Sequence, residues 1–182
     1  KPGPPVQLIV GSEVTVGERD TPGGPTIDPP GHLVLLVRDR TGYANLCRLI
    51  SVGRLHSPKG QSLVGWDEVA AYAGGLIALW EGRAELADEQ GKAWMERASH
   101  LRQAFGADSF YALVTRHYLP DDAVVEMRQT RLAQRIGVPQ VAATEVLYHD
   151  RRRRPLQDVV TCIRQGTSLS AAGILLRPNA EH

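Results

Sequence analysis

Strand-like and helix-like patterns alternate along this chain, and the alternation limits the fold more than any other feature of the sequence. Apolar runs predict strands at residues 7–16, 32–37, 76–80, 109–115 and 138–144. Apolar positions spaced as on one helix face predict helices at residues 42–52, 66–73, 84–105, 120–136 and 155–163. The alternation predicts an α/β fold with a mainly parallel sheet. The apolar run at 32–37 predicts a strand that is covered on both faces.

Three of the predicted helices have a marked apolar stripe. Each stripe repeats at three- and four-residue intervals, which places its members on one face. The first stripe consists of Tyr43, Leu46, Leu49 and Ile50, the second of Trp94, Ala98, Leu101 and Phe105, and the third of Leu156, Val159, Val160 and Ile163. Such stripes are typical of amphipathic helices, and Pro155 is expected at the first position of the helix at 155–163.

Length and charge set further limits. A chain of 182 residues with 42% hydrophobic side chains can form one sizeable core, so a single domain is expected. The 21 basic and 20 acidic residues nearly cancel, so any contact with nucleic acid must be local. No apolar run approaches the roughly 20 residues that cross a bilayer. A cytoplasmic protein without membrane contact is expected.

Several common chemistries lack their sequence signatures. Cys47 and Cys162 are isolated in largely apolar surroundings, so both are predicted to be reduced packing residues. The triplet Gly11-Ser12-Glu13 lacks the surrounding glycines of a nucleophile elbow. The glycines at 17–31 belong to a predicted Pro- and Gly-rich loop and are not followed by the Gly-Lys-Ser/Thr of a phosphate loop. No catalytic residue and no organic cofactor is predicted.

Short phrases in a fixed order carry a family resemblance. In Ile9–Val16 a Gly and one spacer precede a Glu, and His32–Ile50 is a His-led strand followed by a Gly-Tyr-x-Asn-Leu helix. Later phrases are Ile136–Thr144, Leu147–His149 and Arg153–Arg164. Together these phrases resemble the PHP (polymerase and histidinol phosphatase) domain of C-family bacterial DNA polymerases. Arg-Arg-Pro-Leu-Gln-Asp, with Pro178–His182, favours the error-prone branch over the main replicative subunit.

The resemblance implies a partial, distorted β/α barrel of the PHP type, with mainly parallel strands and helices outside. Residues 1–182 are expected to form part of that domain, without the His-x-His strand that opens it. The palm, fingers and thumb of a polymerase are not expected in this chain. A barrel that lacks its first units would have an unpaired strand edge and uncovered apolar faces. The isolated chain is therefore expected to be marginally stable or to self-associate.

The same resemblance identifies three candidate metal ligands. Glu13 and His32 stand at two ligand positions, and Glu145 stands where the family has the first residue of an Asp-x-His pair. Leu147 replaces the His of that pair, and Trp80-Glu-Gly82 replaces an expected Cys or His. The resemblance therefore implies a vestigial site, with Zn or Mn bound only if the site is intact in the full protein. The alternatives are a backbone-bonded His32 and a Glu13 that pairs with a neighbouring base.

Arg151, Arg152, Arg153 and Arg154 form a basic run ahead of the last long helix. Such a run can neutralise DNA phosphates, but it can equally be solvated surface. No aromatic residues alternate with the arginines as in a platform for single-stranded DNA. His149 and Asp150, just before the run, fit a catalytic pair or a solvated loop.

The leading hypothesis is that the chain is the scaffold-like PHP portion of an error-prone DNA polymerase, which serves DNA synthesis in damage tolerance and translesion repair. Expected partners are the remainder of the polymerase chain, DNA through the full-length protein, and accessory mutagenesis or sliding-clamp proteins. One alternative is a metal-dependent phosphoesterase or 3'-5' exonuclease. A second alternative is a DNA-binding module that acts through Arg151–Arg154.

Overall fold

The computed structural model describes residues 8–18, 31–83 and 91–180. One sheet contains β1 (Gly11–Val16), β2 (Gly31–Val37), β3 (Leu63–Val64), β4 (Leu76–Trp80), β5 (Phe110–Thr115) and β6 (Gln140–Ala143). The helices are α1 (Arg40–Leu55), α2 (Trp66–Ala71), α3 (Lys92–Phe105), α4 (Asp122–Ile136), α5 (Arg154–Gln165) and α6 (Leu169–Ala172). Two short 3-10 turns lie at Arg151–Arg153 and Gly173–Leu175. The predicted α/β fold is confirmed.

The sheet is mostly parallel, as predicted. Its strand order is β3-β1-β2-β4-β5-β6. β1 is parallel to β3, and β4 is parallel to β5. β2 is antiparallel to both of its neighbours, β1 and β4, so β1, β3, β4 and β5 share one direction. The arrangement is consistent with part of a PHP β/α barrel. In this sheet β2 is the strand that departs from the common direction.

Only one face of the sheet is fully covered by the described residues. Buried side chains alternate along the strands, and on this face they are Val14, Val16, Leu33, Leu35, Leu76, Ala78, Trp80, Phe110 and Ala112. The opposite face carries the half-buried Val34, Leu36, Ile77, Leu79 and Tyr111. The expectation that β2 is covered on both faces is therefore wrong. A short apolar run does not distinguish a strand with one covered face from a strand with two.

The start of α1 packs closely against the turn that precedes β4. The Asp39 side chain accepts a hydrogen bond from the Gly42 N–H at 2.9 Å, which caps the helix. A β-carbon on Gly42 would lie 1.8 Å from the carbonyl oxygen of Gly75, so only glycine fits at this position. The Asn45 side-chain amide donates to the Gly74 carbonyl at 2.8 Å. The Gly-Tyr-x-Asn phrase of the sequence thus attaches α1 to the Gly74-Gly75 turn.

The apolar stripe of α1 differs in part from the prediction. Leu46 and Leu49 are buried, but 52% of Tyr43 is exposed. Cys47 is exposed, whereas Cys162 is buried. The packing role predicted for Cys162 is therefore confirmed, and that predicted for Cys47 is wrong, because Cys47 follows Leu46 by one position and points about 100° away from it.

Parts of three predicted segments lie outside the residues that the structure describes. The predicted first strand residue, Gln7, most of the predicted loop at 17–31, and residues 84–90 of the predicted third helix lie outside the described residues. The described part of α3 begins at Lys92, and its Trp94, Ala98 and Leu101 are buried as predicted. Phe105 is only half-buried. None of the helices in the described part of the chain combines the length and the hydrophobicity that a bilayer-spanning segment needs.

Backbone contacts divide the chain into two compact units. The first contains the described residues up to Leu113 together with Arg128–Val141, and the second contains Val114–Met127 and the described residues from Ala142 onward. The ends of β5 and β6 and the first turns of α4 therefore belong to the second unit. The expected single partial domain over residues 1–182 stays a prediction.

Candidate metal site and basic segment

Glu13 and His32, two of the three predicted ligands, lie side by side in the first unit. In the antiparallel pair of β1 and β2, Thr15 is opposite His32 and Glu13 is opposite Val34. This register puts Glu13 and His32 diagonally on one face of the sheet. Glu13 Oε1 is 2.8 Å from His32 Nδ1, with 60% and 63% of the two side chains exposed. Glu13 thus pairs with a neighbouring base, and such an exposed pair adds little to stability.

Two neighbouring donors are too few for a polynuclear metal centre. A site that activates water for phosphoester hydrolysis gathers several His, Asp or Glu ligands around its ions. Within residues 8–18, 31–83 and 91–180, no three His, Cys, Asp or Glu side chains are grouped so that they could hold one ion. The donors described do not fit a complete PHP-type centre. The roles of Glu13 and His32 as ligands stay predictions.

An aromatic stack occupies the end of β4, where the resemblance implies a Cys or His ligand. Trp80 is 1% exposed and stacks on Trp94, with 5.5 Å between the ring centroids. The Trp94 indole N–H donates to the Glu81 carbonyl at 3.2 Å. Gly82 has a φ of +63°, and a β-carbon there would lie 2.6 Å from Trp94 Nε1. The Trp80-Glu81-Gly82 sequence therefore forms close apolar packing at this position.

The aromatic packing continues toward α2. The Trp66 ring meets Trp80 edge-on, with 6.2 Å between centroids. The Arg97 guanidinium lies 4.3 Å from the centre of the Trp66 ring and donates to Glu18 at 3.0 Å. A cation over an indole face is attracted by the ring's negative charge density. This arrangement stabilises the side of the sheet that the described helices cover.

Glu145, the third predicted ligand, belongs to the second unit. One of its carboxylate oxygens accepts a hydrogen bond from the Arg177 guanidinium. Leu147, at the position where the resemblance implies a His, is half-buried and carries no lone pair for a metal. Glu145 therefore already has a cationic partner, and its role as a ligand stays a prediction.

The predicted basic run Arg151–Arg154 forms a 3-10 turn and the first residue of α5. Arg152 Nη2 lies 2.8 Å from Asp150, although 90% of the Arg152 side chain is exposed. The Arg152 hydrogen bonds lower the pKa of Asp150, and the same contact raises the pKa of Arg152. Arg154 Nε lies 3.7 Å from Asp158. These two acids partly offset the positive charge that the run presents to a phosphate backbone.

An open depression of about 360 Å³ lies within the second unit, and its lining mixes polar and apolar side chains. Its lining residues are Arg116, Tyr118, Thr144, Val146, Tyr148, His149, Asp150, Arg151 and Ala180. The guanidinium of Arg116 binds Glu126 at 2.5 and 2.7 Å, and these hydrogen bonds lower the pKa of that carboxyl. Since Asp150 is engaged by Arg152, the geometry favours the solvated-loop interpretation of His149 over a catalytic pair.

One buried polar contact was not predicted from the sequence. Gln129 of α4 is 1% exposed, and its amide donates to the carbonyls of Glu81 at 2.9 Å and Leu113 at 3.0 Å. It satisfies one main-chain acceptor just after β4 and one within β5, which would otherwise be costly to bury. A helical Gln has no sequence signal that separates this role from a solvent-facing one.

Comparisons with known proteins identify the family. The family profile described as "PHP domain" matches residues 1–117, which is more than half of the chain. An error-prone DNA polymerase of Anaeromyxobacter dehalogenans is 38% identical over 185 aligned residues, covering 96% of this chain and 14% of that protein.

Two further relatives have the same description. Error-prone DNA polymerase 1 of Agrobacterium fabrum is 38% identical over 143 residues, covering 79% of this chain and 13% of that protein. The error-prone DNA polymerase of Pseudomonas aeruginosa is 36% identical over 176 residues, covering 97% of this chain and 15% of that protein. The chain thus spans about one seventh of the length of these relatives. By its sequence phrases, its mixed sheet and the matching profile, the chain belongs to the PHP domain family.

Proposed function

We propose that this chain is the PHP portion of an error-prone DNA polymerase and that it acts there as a structural scaffold with an eroded metal site. The similarity to error-prone DNA polymerases across 96% of the chain supports the first part. In this role the fold positions the neighbouring polymerase module, which carries out DNA synthesis in damage tolerance and translesion repair. DNA is then bound by the whole polymerase in the cytoplasm, with mutagenesis or sliding-clamp proteins as accessory partners.

The observation that carries the scaffold role is the Trp80–Trp94 stack at the end of β4. No more than 1% of either indole side chain is exposed, and Gly82 allows both rings to pack against the backbone. A stack of this kind has no electron pair for a metal, but it excludes water and stabilises the fold. Leu147 supports the same conclusion, since the resemblance implies a His ligand there. The described side chains are therefore better suited to support than to hydrolysis.

The scaffold role predicts that the Glu13–His32 pair is dispensable for DNA synthesis. Glu13→Gln and His32→Ala, made together in the whole polymerase, should change the rate of primer extension by less than about twofold. Removing an exposed ion pair costs at most about 1 kcal/mol of folding stability, which leaves most of the protein folded. Primer extension on an undamaged and on a lesion-containing template measures this. The matched control is Ser12→Ala, which changes an adjacent position of β1 and leaves both predicted ligands in place. Loss of primer extension in the double variant, with normal extension by the Ser12→Ala control, would contradict the scaffold role.

The alternative is a metal-dependent phosphoesterase or 3'-5' exonuclease, and the Glu13–His32 pair is the observation in its favour. The two side chains bond to each other at 2.8 Å on an accessible face, so both could turn toward one ion if it displaced that bond. The same double variant separates the two functions. If the unmodified protein releases nucleotides from a primed strand and this variant does not, the nuclease function is correct and the scaffold role is wrong.

A further inference from the structure

Helix α1 presents a basic face to solvent. Arg40, Arg48 and Arg54 are all exposed. At about 100° per residue they lie within an arc of roughly 120°, and the first and last are about 21 Å apart along the helix axis. The opposite side of α1 carries Leu46 and Leu49, which are buried in the core. The three arginines therefore point away from the core of the first unit.

The positive charge of this face is not neutralised within its own helix. Helix α1 contains no Asp or Glu, whereas the other long helices of the described part, α3, α4 and α5, each contain at least one. Asp39, which precedes α1, accepts a hydrogen bond from the Gly42 N–H. Among the described residues, none of the three arginines has an ion-pair partner, whereas Arg152 and Arg154 of the basic run each lie beside an acid. Helix α1 thus keeps a local positive charge in a chain whose net charge is only +1.

Helix stability does not account for these charges. Arg40 occupies the first position of α1, where the helix dipole disfavours a cation. Without acids, α1 also lacks the i,i+4 pairs of opposite charge that support an exposed helix, such as Lys92 and Glu96 in α3. The contacts of Gly42 and Asn45 hold α1 against the turn before β4, so the arginines stand on a rigid support. Cations that do not stabilise their own helix indicate a partner outside it.

The composition of the face defines the chemistry of that partner. The side chains between the arginines are small, at Ala44, Cys47 and Ser51, and the exposed Leu55 lies at the last position of the helix. The face therefore lacks the apolar centre that a protein interface has. A membrane-binding helix needs an exposed apolar side, and that of α1 is buried. Separate cations along a rigid line suit a repeating anion, and each strand of duplex DNA carries one phosphate per roughly 3.4 Å of its axis.

We propose that the α1 face, defined as its three arginines and Tyr43, binds the phosphate backbone of duplex DNA without reading its sequence. The guanidiniums neutralise phosphates, and the hydroxyl of Tyr43, a side chain that is 52% exposed, can donate to one. Asn45, the residue of α1 best suited to recognise a base edge, is bonded to the turn before β4 instead. The inference rests on the proposed function, because it takes the duplex to be the DNA that the whole polymerase handles.

The salt dependence of DNA affinity tests the proposal. Arg40→Gln, Arg48→Gln and Arg54→Gln are made together in the whole polymerase, and its binding to a blunt duplex is titrated over a series of salt concentrations. The slope of log affinity against log salt should become shallower by about 2 to 3, because each lost phosphate contact contributes about 0.9. At roughly 0.1 M salt the affinity should fall at least about tenfold. Two duplexes of unrelated sequence should show the same loss.

The matched control removes the same charge elsewhere. Arg131→Gln, Arg135→Gln and Arg164→Gln change three exposed arginines of α4 and α5 and should leave the slope unchanged. An equal loss in the control would mean that only the total charge matters, which would overturn the proposal. An unchanged slope in the α1 variant would overturn it as well.

The native thiol of Cys47 gives a second measurement, which needs no variant of the face. Cys47 is exposed and lies between the arginines, so duplex DNA should slow its alkylation in the unmodified polymerase at least about fivefold, since a covered residue reacts only after local opening. Mass spectrometry of the labelled peptide reports the rate. Gln134→Cys, at an exposed position of α4, is the control and should react equally with and without DNA.

The other labelling outcomes would contradict the proposal. Equal alkylation of Cys47 with and without duplex DNA would mean that DNA does not reach this face. A Cys47 that is already unreactive in the DNA-free polymerase would mean that another part of the polypeptide covers α1. Protection by single-stranded DNA but not by the duplex would identify the wrong form of DNA.

Primer extension by the unmodified polymerase separates this inference from the proposed function. If the polymerase extends primers and the α1 variant keeps the full salt slope, the inference is wrong and the proposed function stands. If the protein has no polymerase activity, the proposed function is wrong, and the salt slope still decides whether the α1 face binds duplex DNA.

Discussion

Gly42→Ala should destabilise the first unit by about 3 kcal/mol, the upper end of the usual cost of overpacking, because the added β-carbon meets rigid backbone. A β-carbon at this position would lie 1.8 Å from the Gly75 carbonyl oxygen and 2.5 Å from its carbonyl carbon. Both neighbours are backbone atoms, and the Asp39 cap and the Asn45 contact hold them in place. Relief would require α1 to move away from the turn. Urea unfolding followed by tryptophan fluorescence measures the change.

The control for this prediction is Gly74→Ala in the same turn. A β-carbon at Gly74 would meet only the Asn45 side-chain nitrogen, at an ordinary 3.6 Å, so the unfolding midpoint should change little. A Gly42 variant that is as stable as the Gly74 variant would show that α1 does not pack against the turn as described.

Trp80→Ala should cost about 3 to 5 kcal/mol of unfolding free energy, the usual range for removing a buried Trp. Trp80 is 1% exposed and touches three rings, stacking on Trp94, meeting Trp66 edge-on and lying 6.4 Å from the Phe110 ring. Its removal would leave a cavity between the sheet and the helices. Urea unfolding detected by far-UV circular dichroism is suitable, because the substitution removes a fluorophore.

Trp80→Phe is the matched variant, since it keeps an aromatic ring in the same place. The phenylalanine variant should lose clearly less unfolding free energy than the alanine variant, because most of the apolar contact remains. If both variants lost the same stability, or if neither did, the packing role of this position would be refuted.

The parts of the fold that the sequence predicted are those governed by local periodicity. The strand at 76–80 and the helix stripe of Trp94, Ala98 and Leu101 depend on neighbouring residues only, and both are present. The direction of β2 could not be predicted in this way, because strand direction is set by pairing with distant segments. The exposure of Tyr43 was also missed, because its spacing fits the stripe equally well whether or not a neighbour covers it.

The candidate site could be predicted only as a set of residue types. The proximity of Glu13 and His32 followed from matching positions in a family, and the structure places them in contact. The Arg177 partner of Glu145 lies 32 residues along the chain, and no spacing rule pairs such distant residues. The apolar stripe of α5 was visible in the sequence, but its exposure to solvent, which reaches 75% at Ile163, was not. That orientation depends on tertiary packing, which periodicity does not encode.

The most direct test of the scaffold account is the metal content of the polymerase after dialysis against a chelator and back-titration with zinc and with manganese. The account predicts that Glu13 and His32 together hold less than one equivalent of either metal. The metal content of the Glu13→Gln, His32→Ala double variant should therefore equal that of the unmodified polymerase. A stoichiometric, tightly held ion that disappears in that variant would contradict the account and make this chain part of a working metal centre.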